Sequence, residues 1–140
     1  MRLLGLDLGE KTIGVSVSDP LGLTAQGVTV IRRRGIEGDL ARIKELCDDL
    51  QVHSIVLGLP INMDGSRGKQ VEKVENFATL VRDRLKLPVV LWDERLTTAA
   101  AEKTLLEADV TRKKRRQVID KMAAILILQG YLNRLRSDSS

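Results

Sequence analysis

Asp7 sits inside an otherwise apolar run, Leu3-Leu4-Gly5-Leu6-Asp7-Leu8. A carboxylate there is costly unless it is paired, hydrogen-bonded or bound to a metal. The plainer alternative is an Asp at a strand end that accepts backbone N–H bonds from the turn at Gly9. Asp93 and Glu94 repeat the pattern after Val89-Val90-Leu91-Trp92. In parallel α/β arrangements, reactive groups gather beyond the carboxyl ends of strands. Alternation points these two acids to opposite sides and does not by itself choose between them. Asp120 shares a helix face with Ala123, Ala124 and Ile127. Small residues there let a helix lie close on a sheet and carry Asp120 into the packed layer; a surface pair with Arg116 is the competing reading. Such a trio would repel itself without a cation. Oxygen ligands with no His or Cys among them favour Mg²⁺ or Mn²⁺. Two such ions about 4 Å apart activate a water and stabilise the leaving oxygen in phosphodiester hydrolysis.

Cations surround these acids in the sequence. Lys11, Arg67, Lys69 and Arg95 are candidate phosphate contacts, and Arg112, Lys113, Lys114, Arg115 and Arg116 form the strongest nucleic-acid candidate. Arg32, Arg33 and Arg34 form a second basic group, and the formal net charge is +4. Clusters of this kind are the electrostatic footprint of a polyanion partner, although a basic run alone is equally consistent with solvated surface. Asn62 and Ser66, in the loop after Pro60, could approach substrate; Ser66 as a helix cap is the alternative. His53 reads as structural rather than as a general base, Trp92 as core, and Cys47 as a buried member of an apolar helix stripe.

The elements that must position these residues follow from periodicity. Leu3 to Leu8 reads as a buried strand. Ile13, Val15 and Val17 alternate with Gly14, Ser16 and Ser18 as a second strand, joined to the first by a Gly9-Glu10-Lys11 turn. Gly27 to Ile31 is a third. Leu40, Ile43, Leu46, Cys47 and Leu50 recur at helical spacing, as do Val71, Val74, Phe77, Ala78 and Val81. Ser54 to Gly58 and Val89 to Trp92 are buried strands, Thr97 or Thr98 could cap a further helix, and the last helix runs from about Gln117 to Leu135. Strand–helix–strand order implies parallel pairing with right-handed crossovers. The expectation is an α/β fold in which a five-stranded mixed sheet, three strands antiparallel and then two parallel, is flanked by helices.

At these residues the chain resembles a known family. Leu6-Asp7-Leu8-Gly9-Glu10-Lys11-Thr12-Ile13-Gly14-Val15, Val56-Leu57-Gly58-Leu59-Pro60, Trp92-Asp93-Glu94-Arg95-Leu96-Thr97-Thr98 and Asp120-Lys121-Met122-Ala123-Ala124 are similar, in order and spacing, to the motifs of the YqgF/RuvX family. The resemblance covers nearly the whole chain. It implies an RNase H-like fold related to the RuvC resolvases, and a metal-dependent nuclease that either processes the 5′ end of pre-16S rRNA or resolves Holliday junctions. It also implies that Asp7, Glu94 and Asp120 are the metal ligands and catalytic carboxylates, which is where the preference for Glu94 over Asp93 comes from. RuvC resolvases commonly carry two acids one turn apart on the final helix, whereas here the residue three after Asp120 is Ala123. Substrate phosphate oxygens would then complete a second metal position.

Composition bounds the remaining readings. With 140 residues and 43% apolar content, the chain is expected to form a single domain over residues 1–136 with a polar tail at 137–140. No apolar run approaches the roughly 20 residues that span a bilayer. A lone cysteine forms no internal disulfide, so a cytoplasmic protein is expected. Aromatic residues make up 2%, which disfavours a single-strand binder that works by base stacking. Two rivals come from other classes. An actin-like nucleotide-binding ATPase would need two lobes of this size, and a non-catalytic assembly factor would have no use for three intact acids. The expected partner is nucleic acid, pre-rRNA or branched DNA, bound by a monomer or weak homodimer; a symmetric junction would require a dimer.

Overall fold

The computed structural model describes residues 2–96 and 112–139, with side chains for 2–96 and 121–138. Strand β1 (Arg2–Leu8) pairs antiparallel with β2 (Thr12–Ser18), and β2 pairs antiparallel with β3 (Ala25–Arg32). Helix α1 (Ile36–Leu50) leads to β4 (Val52–Leu59), which lies parallel to β1. Helix α2 (Lys69–Leu85) leads to β5 (Val89–Asp93), parallel to β4, and a 3-10 turn over Glu94–Leu96 follows. Helix α3 (Arg112–Ser139) is the last element. The sheet order is β3-β2-β1-β4-β5, the mixed five-stranded arrangement expected.

Strand period decides which helix each residue meets. Leu4, Leu6 and Leu8 of β1, Ile13, Val15 and Val17 of β2, and Ile55, Leu57 and Leu59 of β4 join the apolar stripes of α1 and α2 in one core. The opposite face meets α3, where Leu3, Val56 and Trp92 cluster with Ile127, Leu128 and Leu132. The small residues of β2, which read as the polar half of an alternating strand, are buried on this second face: Ser16 is 0% and Ser18 1% exposed. Both find partners, because the Ser16 hydroxyl donates to the Ala124 carbonyl at 2.7 Å and Ser18 Oγ accepts from the Leu3 N–H at 2.8 Å.

Two expected boundaries move. Helix α3 begins at Arg112, so the basic run expected just ahead of the helix forms its first turns. Lys and Arg are strong helix formers but leave no apolar period to detect. Ser66 does not cap α2, whose N-cap is Gly68 with no side-chain bond. Thr97 and Thr98 lie outside the described residues. Helix α3 continues through the expected polar tail to Ser139.

Candidate nuclease site

The carboxyl ends of β1, β4 and β5 lie together along one end of the sheet. Asp7, paired across to Gly14, comes second to last in β1 and is half-buried. It shares the strand parity of Leu3 and Gly5, and so belongs to the face that α3 covers. Glu94 follows β5 at the start of the 3-10 turn and is also half-buried. A Cβ placed on Gly58 would lie 3.2 Å from the Glu94 carboxyl carbon and would collide with the Ile127 side chain of α3. Glu94 is therefore on the α3 face as well, directly above Gly58.

Helix α3 runs antiparallel to β1. Leu3 clusters with Leu128 and Leu132, while a Cβ on Gly5 would come within 2.8 Å of Leu128 Cβ and 3.0 Å of the Ala124 carbonyl oxygen. Two strand residues advance about 6.6 Å and four helical residues about 6 Å, so the two elements stay in step. Continued by one step, this register sets Asp7 against the turn that runs from Asp120 to Ala124. The Asp120 side chain lies outside the described residues, and among the described residues no three carboxylate, His or Cys groups converge as a metal cluster.

Asp93 goes the other way. Arg95 grips it with Nη2 to Oδ2 at 2.8 Å and Nε at 3.1 Å to both oxygens, and the Arg95 N–H adds a bond of 3.0 Å. These side-chain bonds, helped by the charge of Arg67, hold the Asp93 carboxyl below the usual carboxylate range against a smaller opposing effect of burial. Asp93 is occupied by a cation; Glu94 faces the helix.

The remaining candidates divide between the two ends of the sheet. Lys11 is exposed in the turn directly after β1. Arg67 is exposed in the loop after β4, 3.4 Å from Glu75, and Lys69 is the exposed first residue of α2. All three lie around the carboxyl end. Arg95, expected to meet phosphate, has its guanidinium committed to Asp93. Arg112, Lys113, Lys114, Arg115 and Arg116 occupy the first turns of α3, their side chains outside the described residues. Asn62 and Ser66 bond each other at 2.9 Å, and Asp64 accepts the Ser66 N–H at 2.8 Å, so they shape their own exposed loop. His53, exposed at the start of β4, is at the opposite end of the sheet. Cys47 is buried in α1.

One supporting group was not foreseen. Arg33 donates to the Gly9 carbonyl at 2.9 Å and to Asp39 at 3.0 Å, and lies 5.8 Å from the centre of the Phe77 ring. Asp39 is 1% exposed and also accepts the Arg34 N–H at 3.1 Å. This pair, Asp39 buried and Arg33 half-buried, ties the turn after Asp7 to α1 and α2. Its one signal in the sequence, an Arg six residues before an Asp, is too common to pick out.

Similarity to known proteins agrees with this geometry. The family model described as "RuvX: Holliday junction resolvase" matches residues 1–134. The chain belongs to the RuvX family. A RuvX relative from Clostridium kluyveri, named "Putative pre-16S rRNA nuclease", is 56% identical over 135 residues, covering 96% of this chain and 98% of its own. One of the same name from Clostridium acetobutylicum is 55% identical over 133 residues, covering 95% and 98%. Among solved structures, RuvC of T. thermophilus in complex with a Holliday junction substrate superposes with a TM-score of 0.68 at 13% identity, covering 100% and 98% of the two chains. The fowlpox virus Holliday junction resolvase gives 0.58 at 14% identity, covering 96% and 99%. The fold is that of the RuvC-like resolvases, and this RuvX chain is a nuclease, a hydrolase of phosphodiester bonds.

Proposed function

We propose that the chain is a metal-dependent nuclease that processes the 5′ end of pre-16S rRNA in the cytoplasm. Asp7, Glu94 and Asp120 are its metal ligands and catalytic carboxylates, and Mg²⁺ or Mn²⁺ is its cofactor. What supports this reading is the antiparallel run of α3 along β1, from Leu3 against Leu132 to Gly5 against Ala124, on the face where Glu94 lies; continued by one step it leads towards Asp120 and Asp7. The donor set fits a hard cation: it is all oxygen, with His53 and Cys47 both elsewhere. A bound divalent ion would supply charge stabilisation and a nucleophilic water to phosphodiester hydrolysis. The chain's own part is positional. Asp7 is held near the end of β1 and Glu94 in the turn directly after β5, Arg33 fixes the turn behind Asp7, and Lys11, Arg67, Lys69 and the Arg112–Arg116 run attract the phosphate backbone towards the acids.

The names of the relatives favour rRNA, while the family description favours a four-way DNA junction. Purified protein incubated with Mg²⁺ or Mn²⁺ on 5′-extended pre-16S rRNA and on a four-way junction separates the two. Cleavage of the rRNA is expected. Asp7→Asn and Glu94→Gln should each lose at least about 100-fold, since even residues that only orient a metal ligand are worth about 10- to 100-fold. Paired nicks in the junction alone would make the protein a resolvase. Binding without cleavage of either substrate would make it an assembly factor.

A further inference from the structure

Three consecutive arginines stand where β3 ends, Arg32 as its last residue and Arg33 and Arg34 just beyond it. Arg33 turns inward to Asp39, Gly9 and Phe77. Arg32 and Arg34 are exposed, and with Arg42 of α1 they line a cavity of about 350 Å³ between the β3 edge and α1. The acids near this cavity are already engaged. Asp39, in its wall, is bonded by Arg33 and by the Arg34 N–H. Glu37 is gripped by Arg84 at 2.8 and 2.9 Å. Glu45 pairs with Arg42 at 3.1 Å, both side chains open to solvent. Arg32 and Arg34 have no ion pair among the described residues. Arg32 and Arg34 therefore leave a positive excess at the cavity and the strand edge beside it, on guanidinium groups whose fork geometry suits phosphate oxygens. As the outer strand of the sheet, β3 also turns alternate backbone N–H groups outward along this wall.

The position matters as much as the charge. Arg32 pairs with Thr12, so the cavity lies at the same end of the sheet as Asp7, beside the β3 edge on the α1 face, whereas Asp7 belongs to the α3 face. Two strand spacings, about 10 Å, separate β3 from β1. A nucleic-acid backbone that passes round this open edge of the sheet reaches both faces. We propose that the Arg32–Arg34–Arg42 cavity is a second phosphate-binding subsite, which holds the backbone of the substrate strand on the β3 side of the acidic centre. This rests on the nuclease reading above, and its test is independent of cleavage.

The test is fluorescence anisotropy with a labelled single-stranded RNA in EDTA, where no metal-dependent cutting occurs, across a series of salt concentrations. The Arg32→Ala/Arg34→Ala double variant is compared with Arg134→Ala/Arg136→Ala, which removes the same charge at the far end of α3. A single-strand phosphate contact contributes about 0.7 to the salt slope, so two lost contacts should weaken binding roughly 25-fold near 0.1 M salt and flatten the slope by about 1.4. The far-end pair should change affinity by less than about 3-fold, because charges beyond a Debye length are screened. Equal losses in the two doubles, or none in the first, would overturn the subsite; no loss would leave the cavity to an acidic protein partner instead. A matching rise in KM with kcat kept is expected wherever cleavage is measurable. Failure of the wild type to cut RNA would sink the nuclease reading while leaving the anisotropy comparison decisive for the cavity.

Discussion

Beneath α1 and α2 the sheet presents Leu4, Leu6, Ile13, Val15, Ile55 and Leu57, all 0% exposed. Beneath α3 the middle of the sheet presents Gly5, Ser16 and Gly58, with Val56 the one larger side chain among them. The first surface is thick and interdigitated, and each fully buried aliphatic side chain contributes roughly 1.5–3 kcal/mol of transfer free energy. The second is thin. Glycine inside a strand weakens it, having no side chain to pack, and a buried serine brings a hydroxyl that must be bonded. What the thin face gains is closeness: the α3 backbone approaches until the Ala124 carbonyl accepts a hydrogen bond from the Ser16 hydroxyl at 2.7 Å. One face supplies stability and the other sets the distance between a helix and the strand ends that carry the acids.

The largest test of that division is Gly5→Ala. The new methyl group would collide with Ser16 Oγ and lie 2.8 Å from Leu128 Cβ and 3.0 Å from the Ala124 carbonyl oxygen. Backbone cannot yield as a side-chain tip does, so α3 must lift, at a cost of about 3 kcal/mol. Leu6→Ala, on the thick face, should cost a similar 3 kcal/mol or so through its cavity. The two should differ in activity per folded molecule. Denaturant titration gives the stability, and cleavage of pre-16S rRNA at a temperature where both variants are folded gives the rate. Gly5→Ala is expected to lose nearly all cleavage and Leu6→Ala to keep it. Equal rates in the two proteins would erase the distinction between the faces.

Gly58→Ala sharpens the same comparison at smaller cost. Its methyl group would meet the flexible end of Ile127, which can swing away, and the Glu94 carboxyl carbon at 3.2 Å, which must shift. A stability loss of about 1 kcal/mol is expected, with kcat lowered by less than the roughly 100-fold that a displacement of about 1 Å can produce, because the carboxyl must give by only a few tenths of an ångström. Recovery of the rate on adding Ile127→Val would mean that the helix contact, rather than Glu94, sets the effect.

These small residues also mark where the sequence was legible and where it was not. The helical spacing of Leu40, Ile43, Leu46 and Cys47, and the alternation of Ile13, Val15 and Val17, were enough to order the elements, because a face buried against helices imposes its period on the chain. The same alternation misleads on the other face. Gly14, Ser16 and Ser18 look like a solvated edge when only polarity is read, yet Ser16 and Ser18 are buried, since a close helix admits only small side chains. Asp93 and Glu94 could not be told apart from composition. The contact that occupies Asp93 is a long Arg95 side chain folding back over two residues, which no periodic pattern records. The Arg33–Asp39 pair stayed hidden for the opposite reason: its partners, Gly9 and Phe77, lie far away in sequence and meet only when the fold forms.

The smallest expected effect asks whether the two faces yield together. Cys47 is 4% exposed on the α1 side, and burial, with the neighbouring Asp48 charge adding to it, pushes its thiol up to about 11. The reactive form is the thiolate, so at pH 8 the folded protein holds almost none, and labelling should become appreciable only as the pH climbs towards 11. Between the ordinary thiol value near 8.5 and that raised value, the folded state keeps a proton that the unfolded state gives up, so rising pH erodes stability. Alkylation of native protein at pH 8 should therefore be slow and should track global unfolding. In Gly5→Ala the lifted helix lies on the other side of the sheet from Cys47. If the faces are independent, Cys47 labelling should accelerate only by the factor that the lower global stability dictates. Faster labelling than that would mean the disturbance crosses the sheet, and the strands under α1 and α2 would then share in setting the position of the acids.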